Sequence, residues 1–224
     1  YNDERPRQRW TNLQLKRLVD SLRKHGIESY ISMFDYMSPK AEFYHPELYT
    51  TMWSEGRERP QRYVYMTKRF ADGSFYEDFF LSAAVRFLGD YGFDGIHLAD
   101  GLCRPRLPLQ WADMSDDMLE QAGITIPEGE SRDVYIAKNL RRQWISFCTK
   151  RWGQYLKKVV CGIHEAGFKV VVNSSWTKDP MEAEYRFGVN YKALSALPID
   201  LCVAENGAPT LCIIDTQANS GYAQ

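Results

Sequence analysis

From position 11 onward, apolar residues recur in two alternating rhythms, one helical and one strand-like. Leu13, Leu15, Leu18, Val19 and Leu22 fall at near-helical spacing, so residues 11–24 are expected to form a helix, with Thr11 as its N-cap. His25-Gly26 stops it, with Gly26 suited to the left-handed position beyond a helix. The run IESYISMF, residues 27–34, then reads as a short strand. The same order returns twice. Ser74 is placed to cap a helix over 75–90, with Phe79, Phe80, Ala83, Ala84, Phe87 and Leu88 as its apolar positions. Tyr91-Gly92 ends it, and a strand follows over 93–99. A long helical pattern spans 131–165, with Gly153 expected to divide it. Ala166-Gly167 stops that pattern, and residues 168–172 form a continuous apolar strand of the buried parallel kind. Pro180 suits the first turn of a helix over 181–196, and strands are expected at 199–204 and 210–214.

Two long stretches interrupt this rhythm. Residues 35–62 carry Pro39, Pro46, Gly56 and Pro60, with a short helix expected at 46–53 and a strand at 62–67. Asp72-Gly73 marks a turn. Residues 101–130 are rich in Pro, Asp and Met, with a short helix expected at 115–121. Both stretches follow strands, whereas the helix-to-strand turns are short. Alternating helices and strands imply a parallel sheet with helical crossovers, and long loops after strands put its working face at the strand C-termini. The expected fold class is therefore α/β, of (β/α)8 TIM-barrel type. The 224 residues fall short of the ~250 typical of such a barrel, and the pattern opens on a helix. Residues 1–224 are expected to be one barrel domain lacking terminal units.

Composition narrows the function. Aromatic residues reach 14%, with 14 Tyr, 11 Phe and 6 Trp, which suits a surface that stacks on sugar rings and equally suits a core of large side chains. The net charge of −1 offers no basic excess for a phosphate backbone, so nucleic acid is not expected as a partner. No apolar run approaches ~20 residues, so no membrane span is expected. The segment Tyr1 to Arg9 is polar and charged, unlike a secretory signal. The five Cys lie at 103, 148, 161, 202 and 212 without a CxxC pair, and the four His at 25, 45, 97 and 164 lack HExxH spacing. Neither a metal nor a cofactor is expected. Unpaired thiols lean towards a reducing, cytoplasmic setting.

The candidate chemistry lies at strand ends. In GFDGIHLADG, alternation puts Ile96, Leu98 and Asp100 on one side and Gly95, His97 and Ala99 on the other. Asp100 stands where the strand opens onto the C-terminal face; it serves either as a site carboxylate or as a cap for the following turn. Glu205, after IDLCVA, holds the corresponding position on a later strand, as a second carboxylate or within a solvated Glu-Asn-Gly turn. Two such carboxylates could divide the acid and nucleophile roles of glycosidic cleavage. Asp35 and Asn173 also end strands and are expected to bond sugar hydroxyls or to cap loops. Trp176, Trp53 and Trp111 follow strands and are candidate stacking platforms. His97 is expected in the pocket wall or core. Asp94, at the strand start, is expected in a structural ion pair or turn bond.

GFDGIHLADG resembles the strand of many TIM-barrel glycoside hydrolases in which a GFDG run ends in a site carboxylate. LVDSLRKHGIESYISMFDY, WADMSDDMLEQAGITIP, FKVVVNSSW and IDLCVAEN are similar to other segments of those enzymes. The resemblance implies hydrolysis of O-glycosidic bonds in an oligo- or polysaccharide, with Asp100 as nucleophile or acid/base and Glu205 as partner or substrate ligand. The alternatives are a non-catalytic carbohydrate-binding barrel domain, and a barrel lyase or isomerase using Asp100 as a base.

Overall fold

A computed structural model describes residues 11–33, 45–98, 112–173 and 179–203. The first helix, α1 (Asn12–Lys24), begins at a reciprocal capping box. The Gln14 N–H donates to the Thr11 hydroxyl at 3.2 Å, and the Thr11 N–H donates to the Gln14 side chain at 2.8 Å. Such a pair satisfies two of the donors a helix start leaves open. Of the expected apolar stripe, Val19 is buried whereas Leu13 and Leu18 stay exposed. Strand β1 (Tyr30–Met33) follows, shorter than the expected 27–34.

The stretch beyond it differs from expectation. Of the expected helix over 46–53, only Pro46–Leu48 is helical, as one 3-10 turn. Strands β2 (Tyr49–Ser54) and β3 (Arg57–Val64) then form an antiparallel hairpin outside the main sheet. The expected strand over 62–67 is thus only the end of a longer, earlier one. Buried groups anchor the hairpin. Lys68 Nζ donates to the Tyr49 carbonyl at 2.7 Å and lies 3.6 Å from the Asp113 carboxylate, with both side chains buried. Asp113 also accepts from the Thr51 N–H at 2.6 Å and from the Ser115 N–H at 2.9 Å. Burial pushes the Asp113 carboxyl above its usual range, against the opposing pull of Lys68 and these donors.

Helix α2 (Tyr76–Tyr91) is capped by Phe75 without a side-chain bond, because the Ser74 hydroxyl donates to Asp72 instead. Strand β4 (Gly95–Leu98) follows. Helix α3 (Asp116–Ala122) forms near the expected position. The long helical pattern becomes α4 (Arg132–Tyr135), a π-helical segment over Ile136–Leu140, and α5 (Arg141–Glu165). The irregularity therefore lies at the π segment, and Gly153 does not divide the helix. Trp152, Tyr155 and Leu156 continue the buried stripe across it, and packing of an apolar face outweighs the weak propensity of one Gly. Strand β5 (Lys169–Asn173) comes next. The expected helix over 181–196 is split into α6 (Pro180–Phe187) and α7 (Tyr191–Leu194) by Gly188, which adopts φ 65°. Strand β6 (Leu201–Val203) closes the described chain. The expected strand at 210–214 lies outside the described residues.

Strands β1, β4, β5 and β6 are parallel neighbours in that order. Strand order equals chain order, without the reversal that marks a doubly wound sheet. The helices follow the same sequence, α1 packing on α2 and α2 on α5. Ile96, Leu98, Val170 and Val172 are buried in one cluster with Ala84 and Leu88 of α2 and Leu156, Val159 and Ile163 of α5. Gly95 permits close strand pairing, since a Cβ there would lie 2.3 Å from the Lys169 carbonyl oxygen. The fold is thus mixed α/β with a mostly parallel sheet. Against the expectation of a barrel, the described strands form an open sheet and do not close. No helix among the described residues is long and apolar enough to cross a membrane.

Candidate functional site

Pairing in register places Ser32, His97 and Val171 in one row across β1, β4 and β5. Alternation turns Ile96 and Leu98 into the helix-packed core and leaves His97 on the opposite sheet face. There His97 bridges its neighbours. Its Nε2 lies 2.6 Å from Asn173 Oδ1, and its Nδ1 lies 3.1 Å from Ser32 Oγ. With the Asn173 carbonyl oxygen as acceptor, Nε2 carries the proton and Nδ1 accepts from the Ser32 hydroxyl. Asn173, the last residue of β5, is buried; Ser32 is exposed and His97 intermediate. The trio is a fixed polar row near the C-terminal ends of three adjacent strands. Its groups can orient hydroxyl-bearing ligands. Among the described residues, no group of His, Cys, Asp and Glu side chains is arranged to hold a metal ion.

Carboxylates at the other end of the sheet are committed to the scaffold. The Asp94 carboxylate accepts from the Ser29 N–H at 2.8 Å and hydroxyl at 3.2 Å, with Arg23 at 3.8 Å, as its place at a strand start suggested. Asp200 accepts from the Val170 N–H at 2.8 Å. Glu28 accepts from Lys169 and from the Tyr30 hydroxyl, and the Lys169 hydrogen bond holds its carboxyl below the usual range.

No family model and no curated protein matches the chain. It is similar in structure to the PgaB (BpsB) glycoside hydrolase domain from Bordetella bronchiseptica, at 15% identity and a TM-score of 0.54. The likeness covers 84% of this chain and 54% of that one, so this chain spans about half the neighbour's length. At such identity the likeness is one of fold.

Of the expected site residues, the sheet brings His97 and Asn173 together. Ser32 escaped the sequence reading, because a lone Ser in a short strand carries no motif; it is the strand register, pairing Ser32 with His97, that brings it in. Trp53 lies on β2 and not in a loop. The Arg132 guanidinium sits 5.2 Å over its ring, so one face of this expected stacking platform is already taken. Asp100, Glu205, Asp35, Trp176 and Trp111 lie outside the described residues. The side that alternation shared between Asp100 and Ile96 and Leu98 is, up to Leu98, the helix-packed side; the opposite side is that of His97.

Proposed function

We propose that the chain is the larger part of a (β/α)-barrel domain of glycoside-hydrolase type that takes an oligo- or polysaccharide at the C-terminal ends of its parallel strands. The observation that carries this reading is the Ser32–His97–Asn173 row on the sheet face opposite the helices. A polar, hydrogen-bonded row at strand C-termini is where a barrel builds its site. The glycoside-hydrolase fold neighbour and the in-order strand sequence support it. In this reading Asp100 and Glu205 supply the acid and nucleophile, and cleavage needs neither metal nor cofactor. His97, held by Asn173 and Ser32, bonds a sugar hydroxyl beside them, with Asp35, Trp176 and Trp111 lining the same mouth.

The test pairs turnover with binding. A panel of aryl glycosides and oligosaccharides is assayed with the parent chain, Asp100→Asn and Glu205→Gln, alongside calorimetric titration. The expected result is loss of turnover by about 10²–10⁴-fold in each variant with binding kept. Sugar binding without turnover in the parent chain would instead favour a non-catalytic carbohydrate-binding domain. Unchanged turnover in Asp100→Asn would sink the acid and nucleophile assignment.

A further inference from the structure

A separate groove of about 540 Å³ lies in the helix layer, between the start of α2, α3 and the middle of α5. That volume falls in the range of small-molecule sites, ~300–1,000 Å³. Its floor is a buried ion pair. Arg151 Nη2 donates to the Glu77 carboxylate at 2.6 Å, and both side chains are less than a tenth exposed. The rest of the guanidinium is held in place. Its Nε donates to Gln121 Oε1 at 2.9 Å, Nη2 also reaches the Thr67 carbonyl at 3.2 Å, and its carbon lies 4.7 Å over the Phe75 ring. Nη1 has no hydrogen-bond partner among the described residues. Lys150 and Lys158 stand at the rim, with Phe147 and Gln154 completing the lining.

The charges do not balance. Three cations, Lys150, Arg151 and Lys158, face one carboxylate, Glu77, inside the groove. Arg151 pairs with Glu77, and Lys158 pairs with Asp78 just outside, so Lys150 is the lining cation left over. Lys150 is exposed and makes no ion pair or hydrogen bond with a described residue. Of this held guanidinium, Nη1 is left to donate to the carboxylate of a ligand, beside the Lys150 ammonium. The left-over Lys150 ammonium suits a ligand anion. The Gln154 amide offers bonds to hydroxyl groups, and the Phe147 ring offers an apolar wall.

We infer that this groove is a second binding site, away from the strand ends, for a small hydroxylated carboxylate such as a sugar acid. It does not depend on the catalytic reading of Asp100 and Glu205.

The test is a ¹⁵N amide-shift titration of the whole chain with sodium D-glucuronate, D-glucose or inorganic phosphate, at constant ionic strength. Lys150→Glu is titrated in parallel; it reverses a rim charge without touching the buried pair, and a thermal melt checks that it is folded. The expected result is saturable shifts of amides in residues 147–158 with glucuronate, none with glucose, and weaker ones with phosphate. Lys150→Glu should weaken glucuronate binding about tenfold. The site is overturned by absence of saturable shifts, by equal response to glucose, by tighter phosphate binding, or by unchanged affinity in Lys150→Glu.

Discussion

Lys68 and Asp113 show how much of this molecule rests on single buried polar groups. Taking a charge out of water is costly unless a partner compensates, and removing one partner of a buried pair costs about 3–5 kcal/mol. Lys68→Met should therefore lose stability of that order near neutral pH, read from denaturant unfolding. Its pH dependence has a definite sign. Burial already lifts the folded Asp113 carboxyl above its unfolded value, and loss of Lys68 lifts it further. A carboxyl raised in this way costs stability as pH climbs from its unfolded to its folded pKa. The gap between Lys68→Met and the parent should narrow as pH falls from neutral towards the usual carboxylate range; a gap that stays constant or widens would refute the pairing. At this scale the sequence reveals some roles and hides others. Asp94, at a strand start, is legible as a scaffold carboxylate because its position alone points away from the loops. The Asp113 and Arg151 networks are not legible, since beyond the local Ser115–Asp113 bond they join residues 19 to 84 positions apart that carry no common motif.

Among the elements, glycines separate propensity from packing. Gly153 lies inside α5 with no atom within 4 Å of where a Cβ would stand. Gly153→Ala should therefore stabilise the protein by about 0.5–1 kcal/mol, as expected for Gly to Ala in a helix interior with room to spare. Gly95→Ala should do the reverse, because the new methyl would meet the Lys169 carbonyl at 2.3 Å and force β4 and β5 apart. A destabilisation of about 1–3 kcal/mol is expected, as for overpacking elsewhere. Thermal melts of the two variants should shift in opposite directions, and shifts of the same sign would contradict the strand packing. Helix ends are legible where chemistry marks them: the Thr11 cap, and the stops at Gly26, Gly92 and Gly167, all of which adopt positive φ. The β2–β3 hairpin is not legible. Strand β3 reads RERPQRYV, and its charged, mostly exposed residues show no apolar alternation, while Pro60 argues against a central strand. Nor does the sequence mark the π segment, whose residues Ile136–Leu140 fit an ordinary helical pattern.

At the level of the whole molecule, the parallel sheet was readable from the alternation of helices and strands, because parallel neighbours need a crossover. Its in-order arrangement is what the barrel-type expectation entails, whereas the described strands do not close. The arrangement matters for function. It gathers Ser32, His97 and Asn173 on one face near one end of the sheet, while Asp94 and Asp200 hold the opposite end together. Polar groups at strand C-termini and structural bonds at strand N-termini are the division of labour expected of a barrel-type sheet. The account then requires Asp100 and Glu205 to reach the mouth that His97 faces. The most direct measurement is a crystal structure of the chain with an uncleaved oligosaccharide bound. The account predicts sugar hydroxyls against His97 and Asn173, with the Asp100 and Glu205 carboxyl groups on either side of a glycosidic oxygen, ~5–5.5 Å apart for retention or ~6.5–9.5 Å for inversion. An oligosaccharide bound elsewhere, or those two carboxyl groups well beyond that span, would contradict it.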